Sequence, residues 1–192
     1  MIPDGVVTWA EIDLDAIAHN IQSIRKHVGT DTEIIASVKA NAYGHGLRPV
    51  ARTALAAGAD RLAVHRIQAA IALREAHISA PILLLGHIPL SGIDLVLYHS
   101  ITPTLVDWET AKRLSDRTDR HIKVHVKIDT GMSRYGLELD RAVDFVRYVS
   151  ELPYLEIEGL FSHFATADAS ELTFAREQWH TFSILLTELR DE

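Results

Sequence analysis

EIIASVKANAYGHGLRPVARTALAAGADRLAVHRIQAAIALREAH, residues 33–77, decides the fold class. EIIASVK (33–39) and RLAV (61–64) are apolar runs of strand length. LRPVARTALAAG (47–58) and IQAAIALREAH (67–77) instead carry apolar residues at helical spacing. Strands separated by helices pair in parallel through right-handed crossovers, which covers both faces of the sheet. The same rhythm continues through the strand candidates PILLLG (81–86), ITPTL (101–105), KVHVKID (123–129) and LEIEGLFSHF (155–164). Helical segments at 91–99, 108–117, 139–152 and 174–190 alternate with them. TWAEIDL (8–14) reads as an opening strand, and DAIAHNIQSIRKHV (15–28) as a helix.

Doubly wound sheets and (β/α)8 barrels both satisfy this pattern. About six βα units are present, whereas a complete barrel has eight in roughly 250 residues. A barrel here is therefore incomplete. No low-complexity tract, linker or longer repeat marks an internal boundary.

Composition excludes several function classes. The 192 residues are 47% hydrophobic and 23% charged, as in a soluble globular domain, with a net charge of −7. An acidic balance argues against nucleic acid as a partner. No apolar run approaches the length of a membrane span, and the first residues lack the layout of a signal peptide, so a cytoplasmic protein is expected. Without cysteine there is no disulfide, thiolate nucleophile or cysteine metal site. Neither GxGxxG nor GxxxxGK[ST] occurs, and Gly131–Gly136 lacks the spacing of a hydrolase elbow. His121 and His125 share a strand face, but no further ligand spacing accompanies them, and no metal is expected.

Two segments carry chemistry. Lys39 ends a strand just before Asn41–Gly46, where α/β enzymes keep their sites, and an amine there can form a Schiff base. A lysine that extends its ammonium into solvent fits the same spacing. Tyr43 and two glycines precede a helix, a natural place for phosphate. In KVHVKIDTGMSRYG, Val124, Val126 and Ile128 form one face, and Lys123, His125, Lys127 and Asp129 the other. If both faces are covered, the second lines a barrel interior. There Lys127 and Arg134 would need an anion between them or the loss of one charge. His163 falls on the face of Ile157, Gly159 and Phe161.

The block Val38-Lys39-Ala40-Asn41-Ala42-Tyr43-Gly44-His45-Gly46 closely resembles the cofactor-lysine signature of the alanine racemases. TWAEIDLDAIAHNI, ARTALAAGADRLAV, ALREAHISAPILLLG, KIDTGMSRYG and EGLFSHFATAD extend the resemblance along essentially the whole chain. Ser133 and Tyr135 stand where glycine and leucine are common in the family. The resemblance implies pyridoxal 5'-phosphate as cofactor, L- and D-alanine as substrates and a homodimeric full-length enzyme. It makes Lys39 the Schiff-base lysine and one of two catalytic bases. Tyr43 would contact the cofactor phosphate, and Leu85 and His163 would line its pocket. Arg134 would sit beside the cofactor's phenolic oxygen and the substrate carboxylate. Lys127 matches a lysine that many members carry as a carbamate, an anion that would relieve the conflict with Arg134.

The family's second base is a tyrosine of a C-terminal β domain, supplied by the partner subunit. Residues 1–192 are accordingly expected to be the N-terminal barrel portion, truncated before the last barrel strands, and inactive alone. A racemase of broader specificity, acting on serine for example, and a non-catalytic barrel fragment are the alternatives.

Overall fold

The computed structural model describes residues 7–190. The chain forms two compact units, Met1–Ile82 and Leu83–Glu192.

The first unit opens with helix α1 (Leu14–Val28). The Asp13 carboxylate accepts the amides of Asp15 and Ala16 at 2.9 and 3.0 Å, which satisfies donors that a helix start leaves orphaned. Arg25, Lys26 and His27 complement the dipole in its last turn. Strands β1 (Ile35–Ser37) and β2 (Arg61–Val64) pair in parallel, with Ala36 opposite Leu62. Between them run a one-turn helix α2 (Lys39–Tyr43) and helix α3 (Leu47–Ala56), and α4 (Ile67–Glu75) follows. Helix α3 buries Val50, Ala51 and Ala54, and α4 buries Ile67, Ala70 and Leu73. Ile34, Ala54 and Ala59 form a cluster against which Ile21 and Val28 of α1 pack. The Arg25 guanidinium donates to the carbonyls of Gly29 and Gly58 and to the Asp60 carboxylate, tying α1 to the loop before β2.

The second unit is built on β4 (Thr102–Leu105), β5 (Ile122–Lys127) and β6 (Leu155–Phe161), with β3 (Ile82–Leu84) at the junction of the two units. Helices α5 (Ile93–Tyr98), α6 (Trp108–Asp116), α7 (Leu139–Glu151) and α8 (Thr173–Glu188) follow the four strands in turn. Asp107 caps α6 by accepting the Thr110 amide at 2.7 Å. Helix α7 buries Ala142, Phe145 and Val149, and the Phe145 ring meets Trp108 edge-on at 4.8 Å.

The strand order is β1-β2-β3-β4-β5-β6, every ladder is parallel, and β1 and β6 are its outer strands. The fold is the expected α/β arrangement of six βα units, an incomplete barrel. The strands are shorter than the apolar runs suggested, since β1 ends at Ser37 and β6 at Phe161. TWAEIDL is not a strand: residues 8–13 pair with no ladder, and Leu14 already belongs to α1. An apolar alternation without a neighbouring strand has no partner for its backbone groups. No helix among the described residues is long and apolar enough to cross a membrane.

Candidate active site

The residues singled out in the sequence lie at, or just beyond, the C-terminal ends of strands. Lys39 follows β1 by two residues, Leu85 directly follows β3 and Lys127 closes β5. Arg134 lies in the loop between β5 and α7, and His163 lies two residues past β6. In parallel α/β folds this end carries the chemistry.

In the first unit the chain after Lys39 takes an unusual path. Ala40, Asn41, Ala42 and Tyr43 all have positive φ, from +51° to +57°. Left-handed backbone costs a non-glycine residue roughly 1–2 kcal/mol. Four such residues in a row persist only when their surroundings over-determine them, which is the usual circumstance of a functional turn. Here the Val38 carbonyl accepts the Ala42 amide at 2.9 Å, and the Asn41 carbonyl accepts that of Gly46 at 2.9 Å. The Asn41 side chain accepts the Leu47 amide at 2.8 Å, capping α3. Val38 and Ala42 are buried beneath the turn.

This turn brings Lys39 and Tyr43 together, with the Lys39 ammonium 5.8 Å from the centre of the Tyr43 ring. The Tyr43 hydroxyl lies 3.4 Å from that of Ser37. Lys39 is half-buried, and among the described residues no carboxylate pairs with it. Tyr43 is exposed, leaving its hydroxyl open to a ligand.

In the second unit Lys127 is buried, at 6% exposure. Burial pushes its ammonium below the ordinary 10.5; Asp129 opposes this and Arg134 adds to it. Its ammonium lies 5.2 Å from the centre of the Phe161 ring. Arg134 is exposed, so the expected conflict of two buried cations is instead one buried cation and one solvated one. Solvent screens the exposed guanidinium.

Asp129 organises that loop. Its carboxylate accepts the amides of Gly131 and Ser133 at 2.9 and 3.0 Å. Burial pushes the carboxyl up, but the Ser133 and Gly131 amides, together with Lys127, outweigh it and hold the group below 3.8. Ser133 has φ +53°, a left-handed conformation that glycine would adopt without strain. The Tyr135 hydroxyl is buried and has no hydrogen-bond partner among the described residues; burial, reinforced by Asp107, pushes it up to about 12.

His163 departs from the strand-face expectation, because β6 has ended at Phe161 and the His163 side chain is exposed. Its carbonyl is held by Gln178 of α8, a residue that strand-end reasoning passed over. Gln178 is polar yet lies one heptad before the buried Leu185, and a lone amide on an apolar helical stripe was its visible signal. His125 is similarly placed by its neighbours. Its imidazole lies 3.3 Å from Glu158, and Gly159 leaves room for the ring: a Cβ there would stand 3.0 Å from His125 Cε1.

A parallel α/β sheet of six βα units, with chemistry-bearing side chains at and beyond its strand ends, defines a domain of the α/β-barrel class. The chain belongs to the alanine racemase family: residues 12–192 match the model of the alanine racemase N-terminal domain. It is 44% identical over 188 residues to the alanine racemase of Desulforamulus reducens, covering 96% of this chain and 51% of that protein. With the alanine racemase of Clostridium perfringens it shares 45% over 187 residues, covering 95% and 48%. Among solved structures, alanine racemase from Bacillus anthracis with bound L-Ala-P superposes with a TM-score of 0.90 at 39% identity, covering 99% of this chain and 50% of that one. Alanine racemase from Clostridium difficile gives 0.93 at 34% identity, covering 98% and 53%. The chain spans about half the length of the relatives it matches.

Proposed function

We propose that these residues form the cofactor-lysine half of an alanine racemase, which interconverts L- and D-alanine with pyridoxal 5'-phosphate. The observation that carries this reading is Lys39: a half-buried amine with no carboxylate partner among the described residues, at a strand end, held by a left-handed turn beside an exposed phenol. An unpaired amine fits an aldehyde cofactor, and the Tyr43 hydroxyl fits as a donor to its phosphate. Pyridoxal phosphate, when bound, supplies an electron sink for negative charge at the substrate Cα.

The protein's own part is to orient and to move protons. Lys39 Nζ would hold the cofactor and take or return the Cα proton on one face. When the cofactor is bound, Tyr43 would donate to its phosphate, Leu85 and His163 would contact it, and the Arg134 guanidinium would meet carboxylate and phenolate charge. Lys127, its ammonium disfavoured by burial, is the amine that would add carbon dioxide: the ammonium first gives up a proton, the neutral nitrogen forms a C–N bond as one C=O pair moves onto oxygen, and a second proton leaves, so that a cation becomes an anion able to offset the charge of Arg134.

Racemisation needs a second base on the opposite face, so residues 1–192 alone are expected to form no D-alanine. We read the full-length protein as a cytoplasmic homodimer that supplies D-alanine for the cell wall; sedimentation as a monomer would contradict the dimer, and recovery from a membrane fraction the location.

An absorbance titration with pyridoxal phosphate, borohydride trapping and peptide mapping tests the central residue. The expected adduct maps to Lys39 and is lost in Lys39→Ala. An adduct confined to other lysines would overturn the assignment. Mass analysis in bicarbonate should show one added carbon dioxide, lost in Lys127→Met; its absence would refute the carbamate.

A further inference from the structure

We infer that Gln178 is a positioning residue, which ties the loop after β5, carrying Arg134, to the loop after β6, carrying His163. Its side chain is 2% exposed, and its amide is used at both ends. Oε1 accepts the Ala165 amide at 2.9 Å. Nε2 donates to the His163 carbonyl at 3.0 Å and to the Thr130 hydroxyl at 3.2 Å. The Thr130 hydroxyl in turn lies 2.7 Å from that of Ser162. One buried amide therefore bonds to both loops, and a direct hydroxyl pair closes the ring between them.

A second contact comes from the same helix face. Phe174 lies one turn before Gln178 on α8, and its ring rests on Gly131. A Cβ at Gly131 would stand 2.8 Å from Phe174 Cζ, and the residue's φ of +129° is one that side chains rarely adopt. Helix α8 thus meets the β5 loop at Thr130 and Gly131, directly beside Asp129, whose carboxylate shapes the turn leading to Arg134.

An apolar residue would fill this interior position without needing partners. A buried amide is costly unless its bonds are made, so a fully engaged one specifies a single arrangement of the groups around it. The two loops then move as one body on a rigid helix, and the side chains they carry keep a fixed spacing. The link to cofactor binding rests on the function proposed above; the coupling of the loops stands on the hydrogen bonds alone.

The test compares Gln178→Leu, Gln178→Glu and the milder Thr130→Val with Leu185→Ala, a core truncation on the same helix. Amide hydrogen exchange of residues 1–192 without cofactor is the first readout. In the Gln178 variants the amides of Gly131, Ser133 and Ala165 should exchange at least about tenfold faster than in Leu185→Ala, once both are corrected for global stability. Thr130→Val should free Gly131 and Ser133 more than Ala165. The second readout is a pyridoxal phosphate titration, in which Gln178→Leu should weaken apparent affinity by about tenfold while the trapped adduct still maps to Lys39.

Loop exchange no faster than in Leu185→Ala would overturn the coupling. Faster exchange with unchanged cofactor affinity would overturn the positioning role. If wild-type protein forms no Lys39 adduct, the proposed function fails, while the exchange data still decide for or against the coupling.

Discussion

Lys127 and Phe161 are register partners at the ends of β5 and β6, with the Lys127 ammonium 5.2 Å from the centre of the Phe161 ring. The ring face offers a cation part of what burial takes away. Burial still prevails, since Lys127 sits below its ordinary 10.5. In carbonate-free buffer Lys127→Met should therefore stabilise residues 1–192 at neutral pH by about 1 kcal/mol. Between the lowered folded value and 10.5 the unfolded chain binds more protons than the native one, so wild-type stability rises with pH there. The advantage of the variant should shrink across that window in urea titrations; an advantage that grows with pH contradicts the assignment.

The loop that carries Arg134 is closed by Gly136. Its φ is +145°, and a Cβ there would stand 2.8 Å from the Asp129 amide nitrogen. That amide donates to the Leu137 carbonyl at 2.8 Å, while the Leu137 amide donates to the Lys127 carbonyl at 2.9 Å. Gly136→Ala should cost about 2–3 kcal/mol because backbone, not a flexible side chain, must yield. An unchanged denaturation midpoint would count against this geometry.

Asn41 serves the left-handed turn twice, through a positive φ that asparagine tolerates and through the cap on Leu47. Loss of a cap costs about 1 kcal/mol, and alanine adds left-handed strain that glycine avoids. Thermal melts should rank wild type above Asn41→Gly and that above Asn41→Ala. The reverse order of the two variants would exclude a left-handed Asn41.

Asp60 accepts the Ile34 amide at 2.7 Å and pairs with Arg25. The Ile34 bond holds the carboxyl below 3.8; burial opposes it and Arg25 assists. A lowered carboxyl contributes stability above its unfolded value and loses it as the pH falls through the folded one. Asp60→Asn should cost about 1 kcal/mol at neutral pH, a modest figure because solvent reaches the carboxyl, and should flatten the loss of stability below 3.8. Parallel acid titrations of both proteins would refute it.

Much of this protein was legible from local pattern. The βα rhythm is written in apolar spacing, because burying one face of each element requires it, and Lys39 and Lys127 announce themselves as cations at strand ends. What escaped is non-local. TWAEIDL alternates like a strand, yet strand formation depends on a neighbour for its hydrogen bonds, and none pairs with it here. His163 continues the alternation of β6 on paper, but the ladder stops at Phe161 and His163 is exposed. Gln178 showed only as one polar residue on an apolar stripe.

The sequence by itself determined the α/β class, the order of strands and helices, and the family, since periodicity and motif are properties of residues near one another in the chain. Only the tertiary structure decided that Ala40–Tyr43 wind left-handed, that Lys127 is buried while Arg134 is not, and that one glutamine binds two loops. Each of these depends on partners far away in sequence: hydrogen bonds that offset strain, neighbours that exclude water from a charge, and a helix face that reaches Thr130 across 48 positions.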